Sequence, residues 1–71
     1  MRELELHELQ TLEMFANGRS ADEIAAALDV SKSMAQHYLR VAARKLGARN
    51  RVHAAAIAVK LQLVEVTGGP R

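Results

Sequence analysis

The chain has 71 residues and a formal net charge of +2. The absence of cysteine excludes a disulfide framework and a thiolate metal site. With one tyrosine and one phenylalanine as its aromatic residues, the chain also cannot form an aromatic platform for single-stranded nucleic acid. A domain of this length buries only about 60% of the surface of its unfolded chain, so it would gain stability from association with a second copy. The sequence lacks a run of about 18 apolar residues that could span a membrane, and its beginning, MRELELHELQ, is too acidic for a secretion signal, so we expect a cytoplasmic protein.

The first predicted helix covers about residues 5–17 and is followed by Gly18. Glycine commonly ends a helix because it adopts the left-handed conformation without a Cβ clash. The apolar positions that recur at helical spacing form one stripe, which we expect to be buried: Leu6, Leu9, Leu12 and Ala16.

The second predicted helix, residues 21–28, begins at a capping box formed by Ser20 and Glu23. Residues 29–30 form the next turn, and Ser31 is the predicted N-cap of the third helix. Helices joined by so short a turn cross steeply, so the second and third helices are predicted to form a helix-turn-helix.

The third predicted helix extends to about residue 46, and Gly47 ends it. One apolar stripe is predicted to be buried: Ala35, Leu39, Ala42 and Leu46. The opposite stripe is polar: Ser33, Gln36, His37, Arg40 and Arg44. Amide and guanidinium groups can read base edges in the major groove of DNA, and cations can bind its phosphates. Taken alone, the same stripe also fits the solvated face of an ordinary surface helix.

Charge is divided unevenly between the two halves of the chain. Residues 1–30 contain two basic and seven acidic side chains, a net charge of −5, whereas residues 31–71 contain eight basic and one acidic, a net charge of +7. A run of cations often marks only a solvated face, but a basic half built around one helix favours a polyanionic partner.

The fourth predicted helix, residues 51–63, begins at the N-cap Asn50 and is apolar on nearly all sides. One side of this helix must face the first three helices, and its opposite side is predicted to face a second copy of the chain. The alternative is that it is the apolar C-terminal helix of a monomer. The predicted dimer interface contains Val52, Ala55, Ala56, Val59 and Leu63. Residues 65–71, which include Thr-Gly-Gly-Pro, are predicted to form a flexible tail after a domain of residues 1–64.

Several short motifs occur in a fixed order: Leu4 and Glu8, Ala16-x-Gly18, Glu23-Ile24-Ala25 with Leu28, Val30-Ser31, Lys45-Leu46-Gly47, and Asn50-Arg51 with Ala54. In these motifs, residues 4–64 resemble the LuxR/GerE-type helix-turn-helix DNA-binding domain of bacterial transcription regulators, and residues 55–64 look most like its quorum-sensing branch. The resemblance implies an all-α, four-helix domain in which helices two and three form the helix-turn-helix. It also implies a C-terminal dimerisation helix, and a homodimer that binds palindromic double-stranded DNA.

The resemblance also assigns site residues. The positions that match base-contacting residues of the family are Gln36, His37 and Arg40. Those that match its phosphate contacts are Lys32, Ser33, Arg44 and Lys45, with Arg49 and Arg51. The chain departs from the family where Met34-Ala35 replaces the usual Thr-Val and Tyr38 replaces the usual His.

The remaining polar residues do not suggest catalysis. We expect Glu8 to form a structural ion pair with Lys45 or Arg51, and the ring of Tyr38 to pack beside the buried stripe. His7 and His53 are far apart in sequence, with no carboxylate at ligand spacing, so no metal site is expected. A nucleophile–base pair, a glycine-rich phosphate loop and paired catalytic acids are all missing from the sequence, which predicts a non-enzyme without a cofactor.

Two functional hypotheses follow. The first is a dimeric regulator of transcription that inserts its third helix into the major groove. The second is an interaction module that pairs with a larger LuxR-type regulator through the fourth helix without reading DNA; the altered Met34-Ala35 pair favours it slightly, and the many cations argue against it. Candidate protein partners are such a regulator and RNA polymerase.

Overall fold

The computed structural model describes residues 4–67, and within this range the chain forms four helices and no strand. They are α1 (Leu6–Ala16), α2 (Ala21–Leu28), α3 (Lys32–Lys45) and α4 (Arg51–Lys60). The predicted all-α, four-helix class is therefore confirmed. Among the described residues, every helix is too short or too polar to cross a membrane.

The helix starts are set by local side-chain caps. The side chains of Ser20, Ser31 and Asn50 each accept a hydrogen bond from the amide three residues on, at 3.1, 3.0 and 2.8 Å. The Glu23 carboxylate in turn accepts the Ser20 amide at 2.8 Å, which completes the capping box. All three predicted N-caps are confirmed.

The turn between α2 and α3 depends on a left-handed residue. Asp29 has a φ of 58°, a conformation that Asp tolerates better than most residues other than Gly and Asn. The next amide, that of Val30, donates to the Ala25 carbonyl at 3.0 Å, which closes the end of α2. The chain therefore enters α3 only three residues after α2 ends, as a helix-turn-helix requires.

The third helix, α3, packs against each of the other three helices. Its predicted apolar stripe is confirmed, because Ala35, Leu39 and Ala42 are fully buried and Leu46 is half-buried. The other helices contribute further side chains to the same core: Leu12, Ile24, Ala25, Ala54 and Ala58. Many of these residues are alanines, which allow the helix backbones to approach closely. This packing fixes which side of α3 remains at the surface.

The buried face of α1 differs from the predicted stripe at its N-terminal turn. Leu6 is 66% exposed, whereas Glu8 and Thr11 are buried. The hydroxyl of Thr11 donates to the carbonyl of His7, so its burial leaves no unpaired polar atom. The prediction for Leu6 was wrong because apolar spacing alone cannot show that a charged and a hydroxyl side chain are turned inward.

The fourth helix is three residues shorter than predicted. It ends at Lys60, and Gln62 takes a φ of 61°. The amides of Gln62 and Leu63 donate to the carbonyls of Val59 and Ala58, at 3.0 and 2.8 Å, which is a typical C-terminal helix closure. The reversal buries Val64 against the core.

Residues 65–67 continue from this reversal along α1. The Glu65 amide donates to the Glu13 carboxylate at 2.9 Å, and the Asn17 side-chain amide donates to the Glu65 carbonyl at 3.0 Å. The Asn17 oxygen accepts the Thr67 amide at 2.6 Å. The first part of the predicted flexible tail is thus bonded to α1, and residues 68–71 of that prediction lie outside the described residues.

Candidate nucleic-acid interface

The surface side of α3 carries the polar stripe that the sequence predicts. Ser33, His37, Arg40 and Arg44 are exposed, and Gln36 is half-buried. They lie opposite the buried stripe of the same helix, so they cannot turn inward without unpacking the core. The structure therefore presents one hydroxyl, one amide, one imidazole and two guanidinium groups on a single rigid face, which we call the α3 face.

A basic cleft adjoins the α3 face where α3 meets the start of α4. The cleft has a volume of about 430 Å³, and four arginines contribute to its lining: Arg40, Arg44, Arg49 and Arg51. The remaining lining residues are alanines and Asn50, and they include no acidic side chain. The Asn50 cap and a 3.0 Å hydrogen bond from the Arg49 amide to His53 Nδ1 hold the loop in place. Arg49 and Arg51, which follow the end of α3, thus join Arg40 and Arg44 in one concave positive surface.

The start of α3 adds one more exposed cation. Lys32 lies 3.6 Å from the Asp22 carboxylate of α2, and both side chains are largely exposed. Exposed ion pairs of this kind contribute little to stability and are easily exchanged. Lys32 remains available to a stronger anion such as a phosphate.

Lys45 does not belong to this surface. Its ammonium donates to Glu8 Oε1 at 2.8 Å, and both side chains are mostly covered. The prediction of a Glu8 ion pair with Lys45 or Arg51 is thus confirmed for Lys45. The role of Lys45 as a phosphate contact stays a prediction, and it would require Lys45 to leave the buried Glu8 carboxylate without its partner.

The electrostatics of Glu8 follow from these contacts. Burial raises the pKa of Glu8, but the hydrogen bonds from Lys45 and from the Glu5 amide, with the charges of Lys45 and His37, hold the pKa below its ordinary value. A carboxyl group whose pKa is lowered by folding stabilises the folded state above its unfolded pKa. That stabilisation is lost as the pH falls through the folded-state pKa.

Glu8→Gln should lower the free energy of unfolding by about 1–2 kcal/mol at neutral pH, because a charge-assisted hydrogen bond is replaced by a weaker one. The loss should shrink as the pH falls below the ordinary Glu pKa, since the wild-type protein then loses the same interaction. Urea unfolding at several pH values measures both effects. Asp22→Asn, which removes the exposed ion pair with Lys32, is the matched control and should change stability little. An equal effect of the two substitutions would contradict a structural role for Glu8.

Sequence reasoning missed one contact on the flank of α3. The ring of Tyr38 packs, as predicted, but it does so against the His7 ring of α1, with centroids 5.4 Å apart and planes inclined by 11°. The rings of Tyr38 and His37 are 6.3 Å apart and tilted by 48°. The sequence shows an isolated histidine at position 7, and only the packing of α1 against α3 brings the rings together.

Apolar side chains are exposed on α4 and just beyond its end, beside the exposed polar residues Arg51, His53 and Lys60. Val52 is 67% exposed and Val59 is 41% exposed, and Ala56 and Leu63 are exposed as well. Ala55, the fifth residue of the predicted dimer interface, is only 9% exposed and lies in the hydrophobic core. We call the four exposed residues the α4 face.

Comparison with known proteins identifies the family. Residues 4–65 match the family described as bacterial regulatory proteins, luxR family, also named GerE. The match spans all four helices and most of the chain. The protein belongs to the luxR family. The resemblance drawn from the sequence motifs is therefore confirmed, and the family is one of regulatory proteins rather than enzymes.

Two relatives show how this luxR-family chain relates to longer proteins. It is 39% identical over 57 residues to the transcriptional activator protein BjaR1 of Bradyrhizobium diazoefficiens, covering 80% of this chain and 24% of the relative. It is 43% identical over 51 residues to the response regulator RamR of Streptomyces coelicolor, covering 72% of this chain and 25% of the relative. The matched region is thus about a quarter of each of these relatives. One is an activator and the other a response regulator, so the assignment to the quorum-sensing branch stays a prediction.

Proposed function

We propose that this chain binds double-stranded DNA sequence-specifically and regulates bacterial transcription, with α3 inserted into the major groove. The α3 face carries the proposal, because it combines base-reading and cationic groups on the one side of α3 that the core leaves free. Membership of the luxR family and the names of the two relatives support a role in regulation. Such a role implies a cytoplasmic location.

The residues of the α3 face differ in what they can recognise. Arg40 can donate two parallel hydrogen bonds to O6 and N7 of guanine, and Gln36 can pair with N6 and N7 of adenine. His37 is a shorter group that offers a hydrogen bond to a neighbouring base edge. These three side chains are the proposed base contacts, and they occupy about one turn of α3.

The surrounding groups are proposed to hold the DNA backbone. Ser33 and Lys32 lie at the start of α3, and the basic cleft of Arg44, Arg49 and Arg51 lies at its other end. Groups at both ends of α3 could contact phosphates on either side of the groove, which would fix the helix in register without reading sequence.

The α4 face is the proposed dimer interface. Val52, Ala56, Val59 and Leu63 leave apolar surface in water, and a domain of this size has little other means of burying it. A two-fold dimer would present two copies of α3 to the same side of the DNA. Its half-sites are expected about one helical turn apart.

A binding titration on genomic fragments at two salt concentrations tests the proposal. Four proposed phosphate-binding cations per protomer, or eight per dimer, predict a slope of about −7 in log affinity against log salt. At physiological salt, at least one fragment should bind more tightly than random DNA of equal length. If no fragment is preferred, the chain does not read DNA, and the interaction module that pairs through the α4 face becomes the better account.

A further inference from the structure

The side of α3 that faces α1 is attached to it at two points. Tyr38 stacks on His7, and Lys45 binds Glu8. On α3 these two residues are seven positions apart, which places them on the same side of the helix and about 10 Å apart along its axis. Their partners on α1, His7 and Glu8, are neighbours in sequence, so one turn of α1 contacts two successive turns of α3.

Two attachments along one side of a helix oppose its rotation about its own axis. Rotation of α3 would move the α3 face relative to the core and thus relative to the DNA. The Lys45 attachment lies beside the basic cleft, at the C-terminal end of α3. The Tyr38 attachment lies next to Gln36, His37 and Arg40, where the proposed base contacts are concentrated.

Tyr38 also lies close to His37, which is one of those proposed base contacts. The Tyr38 ring lies near both imidazoles, with its centroid 5.4 Å from that of His7 of α1 and 6.3 Å from that of His37 of the α3 face. Stacked and tilted ring pairs at these separations are favourable, so the position of His7 restricts the Tyr38 ring, which in turn limits where the His37 ring can lie.

We propose that His7 is a positioning residue for base recognition: it stacks on Tyr38 and so holds the base-reading turn of α3 in the orientation that reads DNA. This inference rests on the proposed function. It assigns a role in sequence discrimination to a residue of α1 that lies outside the α3 face. His7 acts through Tyr38 and not through the nucleic acid.

The test compares His7→Ala, which removes the ring, with His7→Phe, which keeps a ring of similar shape and removes the ionisable group. The readout is the affinity for the preferred fragment divided by that for a scrambled fragment, together with the salt slope. His7→Ala should reduce this ratio by about 3- to 10-fold, the range of a stacked ring pair. The salt slope should stay unchanged, and His7→Phe should restore the ratio to within about twofold of wild type.

Tyr38 supplies the matched variants. Tyr38→Phe keeps the ring and should retain the wild-type ratio, whereas Tyr38→Ala should reduce it as much as His7→Ala does. The double variant His7→Ala/Tyr38→Ala should lose no more than either single variant, because both remove the same contact. Circular dichroism checks that each variant keeps the helical fold, which the intact Glu8–Lys45 pair and the core should maintain.

Three results would overturn the inference. An unchanged ratio in His7→Ala would show that the stack does not position α3. If His7→Ala weakened binding to both fragments equally and made the salt slope shallower, and if His7→Phe did not restore the affinity, His7 would be a phosphate contact instead. Wild-type protein that prefers no fragment would overturn both this inference and the proposed function, whereas the first two results leave that function intact.

Discussion

Val59→Asp is expected to lower the affinity for a palindromic DNA site by about 10²- to 10⁴-fold. In a dimer, binding of one α3 to its half-site holds the second α3 at high effective concentration near the other half-site. This gain in affinity disappears when the dimer separates into monomers. Val59 lies in the α4 face and is 41% exposed within the protomer, so an aspartate there should not disturb the core. In a dimer formed through the α4 face, the two carboxylates would be buried without partners.

Sedimentation equilibrium and DNA titration together measure this effect. The variant should have the mass of a monomer at concentrations where the wild type is a dimer, and it should bind an isolated half-site nearly as well as wild type does. Val66→Asp is the matched control: it makes the same substitution at a valine that is 48% exposed and lies beyond the α4 face. It should keep the dimer mass and, apart from the small effect of one added negative charge, the affinity. An unchanged mass for Val59→Asp would rule out the α4 face as the dimer interface.

Arg40→Ala should abolish selectivity at one base pair of each half-site. A bidentate arginine–guanine contact discriminates by about 1–3 kcal/mol, which corresponds to roughly 5- to 150-fold for each half-site. Arg40 is exposed on the α3 face and contributes to the basic cleft, so its removal takes away no buried packing. Titration against a set of fragments that vary one base pair at a time measures the change, and the discrimination should disappear at a single position of the half-site.

Arg44→Ala distinguishes a phosphate contact from a base contact. Arg44 lines the same cleft one turn further along α3 and is proposed to bind a phosphate. Its removal should weaken binding to all fragments alike and make the salt slope less steep by about one unit per protomer. If Arg40→Ala behaved in the same way, Arg40 would be a phosphate contact and the base-reading assignment would be wrong.

Features of the fold that depend on neighbouring residues could be read from the sequence. The caps at Ser20, Ser31 and Asn50 form within four residues of chain, and the left-handed turn at Asp29 depends on a property of aspartate itself. The α3 face was predictable for a similar reason, because the periodicity of one helix determines which of its side chains share a side.

Features set by distant parts of the chain could not be read in this way. The Glu8–Lys45 pair joins residues 37 positions apart, and sequence reasoning offered both Lys45 and Arg51 as partners. The end of α4 depends on a chain reversal that is fixed to α1 through bonds from Glu65 and Thr67 to residues about 50 positions earlier. The stack of His7 on Tyr38 likewise needs α1 to be placed beside α3 before the two rings can meet.

The most direct test of the account is selection of bound DNA from a random pool by the wild-type protein at physiological salt. The α3 face and the α4 face together predict enrichment of a two-fold-symmetric sequence with half-sites centred about one helical turn apart. Each half-site should contain a guanine whose selection is lost with Arg40→Ala. A pool that shows no enrichment after repeated rounds, while the protein stays folded, would contradict the claim that the exposed side of α3 reads DNA.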